Sequence, residues 1–261
     1  MGKRVIIKFP YQGVYTLSFA IIGTVVIIWD FVDFLFFHSY LAQYDLLYAD
    51  KGTIFIAFFT QQSNIITVIY FYFMACFHFN RKKLNNNSFL IRLFVTVYIT
   101  VTSIIFTAGL LPGLVDSSAY DIKGWIFTSF LHYIIPIAMI IYYFWLSGRF
   151  HYSLRKFTKK SLYKIYIYPF FYFLFVMIRG ELRHNNPKLH NLYDRFPLGS
   201  FDIEYPYWFL NYHHYPYGIA MIAVTFLFMF LLVTALTYLY LVLNNFIFER
   251  KQYKQSRVVQ R

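Results

Sequence analysis

The sequence predicts an all-α, polytopic membrane protein with six transmembrane helices. Of its 261 residues, 59% are hydrophobic and only 13% are charged, whereas soluble domains carry about 25% charged residues. Several apolar runs reach the ~20 residues that a helix needs to cross a ~30 Å hydrocarbon core. The basic residues also concentrate in every second connection between these runs, which supports the number of helices.

The apolar runs fall at 14–37, 54–79, 89–111, 124–146, 161–179 and 217–247. Most connections between them leave room for turns only. The longest connection, 180–216, is expected to form a cap at the outer membrane surface. Its four prolines oppose a long helix, and its tyrosines and Trp208 suit the headgroup layer. The whole chain, 1–261, is therefore predicted to form one transmembrane domain.

The distribution of charge predicts the orientation. If six helices cross the membrane in alternating directions, eighteen lysines and arginines lie on one side, in or beside the terminal segments and two of the connections. The opposite side carries five other lysines and arginines and eight of the eleven acids. The positive-inside rule then places both termini of this multi-pass protein in the cytoplasm. The net charge of +13 is explained by this topology, with membrane lipids as the counter-charge, so nucleic acid is not a predicted partner.

Polar side chains recur on one face of three predicted helices. Thr60, Ser63, Asn64 and Thr67, part of the stretch that begins "FFTQQSN" at residue 58, are spaced at i, i+3, i+4 and i+7. Helices three and four show similar spacing at Thr96, Thr100, Ser103 and Thr107 and at Thr128 and His132. Because polar groups in lipid need partners, these faces are expected to point towards one another.

Depth along the helices brings these groups into one layer. Counted from Ile54 at ~1.5 Å per residue, Thr60 lies about 9 Å below the outer surface, and His132 lies about 12 Å below it by the same count from Gly124. The charged residues near the outer ends of helices one and five, namely Asp30, Asp33 and Arg179, fall at the same level. Intramembrane charges are costly and usually functional. We therefore predict a site here, in which Arg179 pairs with Asp30 or Asp33.

Such a layer could support nucleophilic catalysis, because a hydroxyl and an imidazole that lie close together and are screened from bulk water can act as a nucleophile and its general base, and Thr60 and His132 are the candidates for this pair. Asn64 or Arg179 could stabilise the oxyanion. Asp30 or Asp33 would orient the imidazole. The other predicted substrate-binding residues are Ser63, Tyr205 and Tyr207. No cofactor and no metal are predicted, because the cap histidines (His184, His190, His213 and His214) lack an HExxH-like spacing and the single cysteine, Cys76, is interpreted as a packing residue.

Plainer interpretations remain open at this point. The Thr60 hydroxyl could bond its own i−4 carbonyl, His132 could simply join two helices, and Arg179 could belong to a structural ion pair. For the whole protein, a non-catalytic lipid-binding or scaffold role needs the same pocket without turnover. A small-solute transporter would need polar groups across the full membrane thickness, whereas the ionisable ones here cluster near the outer side.

Four ordered segments resemble the bacterial six-transmembrane Pr-six-Pr family. They are "FFTQQSN" at 58–64, "LHYIIP" at 131–136, "IRG" at 178–180 and "YPYWFLN" at 205–211. The resemblance covers about 54–247. It departs from the family pattern at Trp208 and Asn211, where YPYPFLD is usual, and 181–204 looks like an insertion.

That family is similar in turn to the eukaryotic androgen-induced and androgen-dependent membrane hydrolases, which cleave esters of hydroxy fatty acids. The resemblance implies that Thr60 stands in the place of the nucleophile and His132 in that of the base, and that the substrate is a fatty-acyl ester, which we expect to enter from the outer leaflet. A more distant transmembrane acyltransferase group is implied as well, but it uses a cysteine, and Cys76 lies at the wrong end of its helix to match.

Overall fold

The computed structural model describes residues 11–37, 46–82, 84–111, 122–186, 203–213 and 216–259, and these residues form helices and no strand. We number the α-helices in chain order: α1 Tyr11–Phe36, α2 Tyr48–Ala57, α3 Phe59–Phe79, α4 Asn86–Ile105, α5 Ile122–Ser129, α6 Ile135–Trp145, α7 Leu154–Lys160, α8 Ile167–His184 and α9 Gly218–Val259. Two π-helical turns, Phe106–Leu110 and Phe130–Ile134, extend α4 and join α5 to α6. Short 3-10 helices lie at Leu162–Tyr166 and Trp208–Leu210.

The all-helical fold class is confirmed, and the apolar helices fit a multi-pass membrane protein. Within the described ranges, five helices are long and apolar enough to cross a membrane, and α2 with α3 can form a sixth span. The outer surfaces of α1, α8 and α9 expose many large apolar side chains, as lipid-facing surfaces do. The side of the membrane on which each terminus lies stays a prediction.

Helix two differs from its prediction as one continuous run over 54–79. The chain bends by 77° between α2 and α3, where Phe58 adopts an extended conformation with φ −71° and ψ 130°. The polar residues of "FFTQQSN" therefore form the first turns of α3 and do not lie inside a longer straight helix. The depth counted from Ile54 is wrong for this reason.

The short helix α2 is held in place by α8. The Tyr172 hydroxyl donates to the Ala57 carbonyl at 2.9 Å. The Arg183 guanidinium donates to Thr53 at 2.7 Å and forms an ion pair with Asp50 at 3.0 Å. Because these bonds fix both ends of α2, the start of α3 has a defined position.

The core consists of α3, α4 and α6, with α1 and α9 packed on opposite sides. One cluster of buried residues joins α1, α3, α4 and α6 through side chains such as Phe71, Ile99 and Met139. Another joins α4, α6 and α9 through Leu93, Tyr143 and Leu241. Cys76 is exposed on α3, so its interpretation as a packing residue is wrong.

Helix five continues past its predicted end at Arg179 to His184, and the described part of the cap, residues 203–213, packs against it. Val176, Tyr205 and Leu210 form a buried cluster there, so this segment packs against α8. Residues 187–202 and 214–215, with His190 and His214, lie outside the described residues.

Candidate active site

The structure brings the two residues predicted to be catalytic into contact. The Thr60 Oγ1 atom lies 3.3 Å from His132 Nε2, slightly beyond the ~2.6–3.2 Å of a productive proton-transfer pair, as is common in unliganded sites. Thr60 lies in the first turn of α3 and His132 in the π-helical turn Phe130–Ile134. Because α3 begins at Phe59, Thr60 does not bond a carbonyl of its own helix four residues earlier.

The hydrogen bond made by the second ring nitrogen of His132, Nδ1, determines which tautomer the imidazole adopts. His132 Nδ1 lies 3.1 Å from the Thr128 carbonyl oxygen, which can only accept a hydrogen bond. The proton of a neutral imidazole is therefore on Nδ1, and Nε2 is left with a lone pair facing the Thr60 hydroxyl. The ring also stacks on Phe106, with ring centroids 3.7 Å apart. A backbone carbonyl and an aromatic ring thus hold the imidazole in the orientation that a general base for the Thr60 hydroxyl would need.

The π-helical turn Phe130–Ile134 leaves one backbone carbonyl without a partner in its own helix, and Asn64 bonds this carbonyl. The Ile135 N–H bonds the Phe130 carbonyl, five residues earlier, and Pro136 has no N–H to offer. The Leu131 carbonyl therefore loses its usual partner within the helix. Asn64 supplies one, because its Nδ2 donates to Leu131 O at 3.0 Å and to Thr60 O at 2.8 Å. Both amide hydrogens of Asn64 are used in this way, so the structure gives no support to Asn64 as the oxyanion donor.

Tyr207 of the cap reaches the start of α3. Its hydroxyl accepts the Phe59 N–H at 3.1 Å, one of the amides that a helix start leaves without a partner. Burial raises the pKa of the Tyr207 phenol, and hydrogen bonds with the Thr60 side chain and the Phe59 backbone act in the opposite direction. The phenol therefore stays protonated and can donate a hydrogen bond beside Thr60.

Arg179 does not pair with Asp30 or Asp33, so that prediction is wrong. Its guanidinium donates to the Glu204 carbonyl at 2.7 Å and to the Ile203 carbonyl at 3.1 Å, which fastens the cap to α8. Because these donors are directed at the cap backbone, the structure also gives no support to Arg179 as the oxyanion donor.

The two acids of α1 have other partners. Asp30 accepts from Gln61 Nε2 at 2.7 Å, and Asp33 forms an ion pair with Lys123 at 3.2 Å. Neither orients His132, whose Nδ1 is taken by a carbonyl. Asp30 nevertheless joins α1 to the first turn of α3, next to Thr60.

The remaining hydroxyl groups are mainly structural. Ser63 Oγ lies 2.6 Å from Thr102 Oγ1, so α3 and α4 meet through Thr102, which lies outside the predicted polar stripe. Thr100 lies 2.9 Å from the Tyr240 hydroxyl of α9. The plainer interpretation holds for these hydroxyls, because most also donate to a carbonyl of their own helix, as do Ser63, Thr67, Thr96, Thr100 and Thr107.

Tyr205 packs on Gly180 and donates to Glu181 at 2.7 Å, which gives it a structural contact rather than the predicted substrate contact. Glu181 also accepts from Tyr212 and from His213, and the hydrogen bond to Glu181 is the main cause that raises the pKa of Tyr212 to about 12. His213 stacks on His184 at 3.8 Å. Among the described residues, no group of three or more histidine, cysteine or acidic residues could hold a metal ion.

Sequence reasoning missed three residues of this site. Gln61 and Thr102 supply contacts between helices, and Phe106 supports the imidazole. Gln61 could have been found, because it lies within the polar stretch "FFTQQSN". Thr102 is one residue off the periodic stripe, and Phe106 is one apolar residue among many, so neither gave a signal.

Comparisons with protein-family models, curated proteins and solved structures find no match for this chain.

Proposed function

We propose that this protein is an integral membrane hydrolase or acyl transferase that cleaves a fatty-acyl ester with Thr60 and His132. The observation that carries the proposal is the 3.3 Å contact between Thr60 Oγ1 and His132 Nε2, with the Nδ1 proton directed at the Thr128 carbonyl. A hydroxyl facing the unprotonated nitrogen of an oriented imidazole is the arrangement of an activated nucleophile.

The first half-reaction transfers the acyl group. Thr60 Oγ1 attacks the ester carbonyl carbon while its proton moves to His132 Nε2. The carbonyl oxygen becomes negatively charged, and the Tyr207 hydroxyl is the donor best placed to bind it, because it already accepts the Phe59 N–H and retains its own proton. The imidazolium is stabilised through Nδ1 by the Thr128 carbonyl. When the carbon–oxygen bond of the ester breaks, the leaving alcohol takes the proton from Nε2.

The second half-reaction releases the acyl group from Thr60. Water, or the hydroxyl of another acceptor, loses a proton to His132 Nε2 as its oxygen attacks the acyl-threonine. The new tetrahedral intermediate collapses, and the proton returns to Thr60. Water gives a fatty acid, and an alcohol gives a new ester. The aromatic rings next to Thr60, including Phe58, Phe59 and Phe106, supply apolar surface for the acyl chain.

Covalent labelling tests this function directly. The purified protein in lipid nanodiscs is treated with a long-chain alkyl fluorophosphonate, and the modified peptide is identified by mass spectrometry. We expect the adduct on Thr60, and we expect the labelled protein to lose hydrolysis of long-chain esters. Ester turnover with the label on another residue would contradict the assignment. A bound acyl lipid, without labelling or turnover across a panel of esters, would instead favour the non-catalytic lipid-binding alternative.

The proposed setting is a multi-pass protein of a bacterial cytoplasmic membrane, with both termini in the cytoplasm and Thr60 towards the outer leaflet. We expect single cysteines at Asp45 and Lys188 to react with a membrane-impermeant maleimide in intact cells. Cysteines at Lys159 and Gln255 should react only after permeabilisation. The background must carry Cys76→Ser, because the native thiol is exposed. Labelling of the Lys159 position in intact cells would refute this topology.

A further inference from the structure

A buried arginine lies in the bundle well away from Thr60. Arg92 of α4 is only 2% exposed. In the sequence it lies near a helix end and is therefore counted among the basic residues that flank the membrane. Its guanidinium carbon lies 5.3 Å from the centre of the Phe89 ring and 5.5 Å from that of Tyr143. Tyr70, which interacts electrostatically with Arg92, is ten residues beyond Thr60 on α3, or about 15 Å along the helix.

Most of the hydrogen-bonding capacity of this buried cation is not used. A guanidinium has five N–H donors, and the one hydrogen bond seen for Arg92 within the described residues is a long one, from Nη2 to the Leu146 carbonyl at 3.4 Å. Arg92 Nε has no hydrogen-bond partner there, and neither does the buried hydroxyl of Tyr70, a residue that is 5% exposed as a whole. Two donors, one from α3 and one from α4, are thus buried without acceptors among the described residues.

No acid among the described residues compensates the charge of Arg92. Glu249 is the one described acid at this end of the bundle, and it lies 3.8 Å from His151. Additional positive charge is present instead. Arg149 is close enough to repel Arg92 electrostatically, and Lys251 donates to the Ser147 carbonyl at 2.7 Å. Since a buried charge without a partner costs several kcal/mol, this arrangement calls for an anion.

We propose that Arg92, Tyr70 and Arg149 bind the phosphate group of an anionic ligand, either the headgroup of a membrane lipid or a soluble phosphate. A guanidinium matches phosphate oxygens through paired N–H donors, and the Tyr70 hydroxyl adds a third donor. Basic pockets between transmembrane helices are known sites for anionic headgroups. An open surface cavity of about 400 Å³, lined by Leu84, Asn85, Asn87 and Phe150, lies near the start of α4 and the 146–150 turn, on the same part of the bundle as Arg149.

The test measures thermal unfolding of the full-length protein in nanodiscs of phosphatidylcholine, with or without phosphatidylglycerol. A parallel series in detergent compares inorganic phosphate with chloride at equal ionic strength. We expect at least one of these anions to raise the Tm of the wild type by roughly 5 °C. A response to phosphatidylglycerol alone assigns the site to a lipid headgroup, and a response to inorganic phosphate assigns it to a soluble ligand.

Three variants and two controls make the test specific. Arg92→Met, Tyr70→Phe and Arg149→Ala should each lose at least half of the rise in Tm. Arg92→Met should also unfold at the same or a higher temperature than the wild type without the anion, because it removes an uncompensated buried charge. Arg155→Ala and Lys159→Ala remove exposed cations of α7 and should respond like the wild type.

The proposal fails if neither anion raises the Tm of the wild type, or if Tyr70→Phe and Arg149→Ala respond as strongly as the wild type. These two variants keep the test decisive even if Arg92→Met does not fold. Activity at Thr60 does not enter this measurement, so its outcome is separate from that of the proposed ester chemistry.

Discussion

Thr60→Ala is expected to lower kcat/KM for ester hydrolysis by at least about 10³-fold, because it removes the oxygen that attacks the substrate. Thr60→Ser keeps that oxygen and should retain measurable turnover and fluorophosphonate labelling. The Thr60 side chain bonds His132 and approaches Tyr207 but is not part of the buried core, so Thr60→Ala should unfold within a few degrees of the wild type. Steady-state hydrolysis of a long-chain ester, with thermal unfolding of each variant, measures both quantities.

His132→Ala should cause a loss of similar size, since the hydroxyl of an unassisted threonine is a weak nucleophile. The double variant Thr60→Ala/His132→Ala should be no worse than either single variant, because residues that act as one unit have strongly non-additive effects. Additive losses would mean that the two side chains act independently and would contradict the mechanism.

Two matched controls separate chemistry from folding. Thr107→Ala removes another hydroxyl that bonds its own helix and the Tyr133 hydroxyl, and His151→Ala removes an exposed histidine at the other end of the bundle. Both should keep wild-type turnover. If ester turnover and labelling survive both Thr60→Ala and His132→Ala, then the polar layer is a binding site or a structural contact.

Gly180→Ala is expected to lower the free energy of unfolding by about 1–3 kcal/mol through overpacking. A Cβ atom at this position would lie 2.1 Å from an atom of the Tyr205 ring, and that ring is fully buried with its hydroxyl on Glu181. The ring must move, and the cap must move with it. Tyr207 is two residues further along, so hydrolysis should also fall as its hydroxyl leaves the start of α3.

Gly52→Ala is the matched control, because nothing lies within 4 Å of an added Cβ there. Gly52 is inside α2, where alanine is the better helix former by about 1 kcal/mol, so this variant should be as stable as the wild type or more stable. The double variant Gly180→Ala/Tyr205→Leu should lose less stability than the sum of its single variants, because leucine relieves the clash. Wild-type stability of Gly180→Ala would show that the cap does not depend on this contact.

The sequence predicted the helical fold well because the signal is repeated along the whole chain. Each run of about 20 apolar residues carries its own evidence for a membrane helix, and the observed helices begin and end within a few residues of most predicted bounds. The pairing of Thr60 with His132 was also foreseen, from the polar spacing in two helices and from the resemblance at "FFTQQSN" and "LHYIIP".

The partners of individual side chains depended on the tertiary structure. The bend at Phe58 changes the level at which Thr60 and Asn64 lie, and no proline or glycine marks it in the sequence. Pro136 was visible, but only the three-dimensional arrangement shows that Asn64 takes over the Leu131 carbonyl. Arg179 lies in the right helix, yet its guanidinium is directed at the cap backbone.

The helices could be predicted and the side-chain partners could not because helix formation depends on neighbouring residues, whereas side-chain contacts join residues that are far apart in the sequence. Whether a segment forms an apolar helix depends on the transfer free energy of its own residues, which can be summed along the chain. A hydrogen bond depends on the direction of two side chains from distant segments, within a few tenths of an ångström. Thus the sequence alone determined the helices and the polar spacing that carries Thr60 and His132, whereas only the tertiary structure decided that Tyr207 caps α3 beside Thr60 and that Arg92 is buried without a carboxylate partner among the described residues.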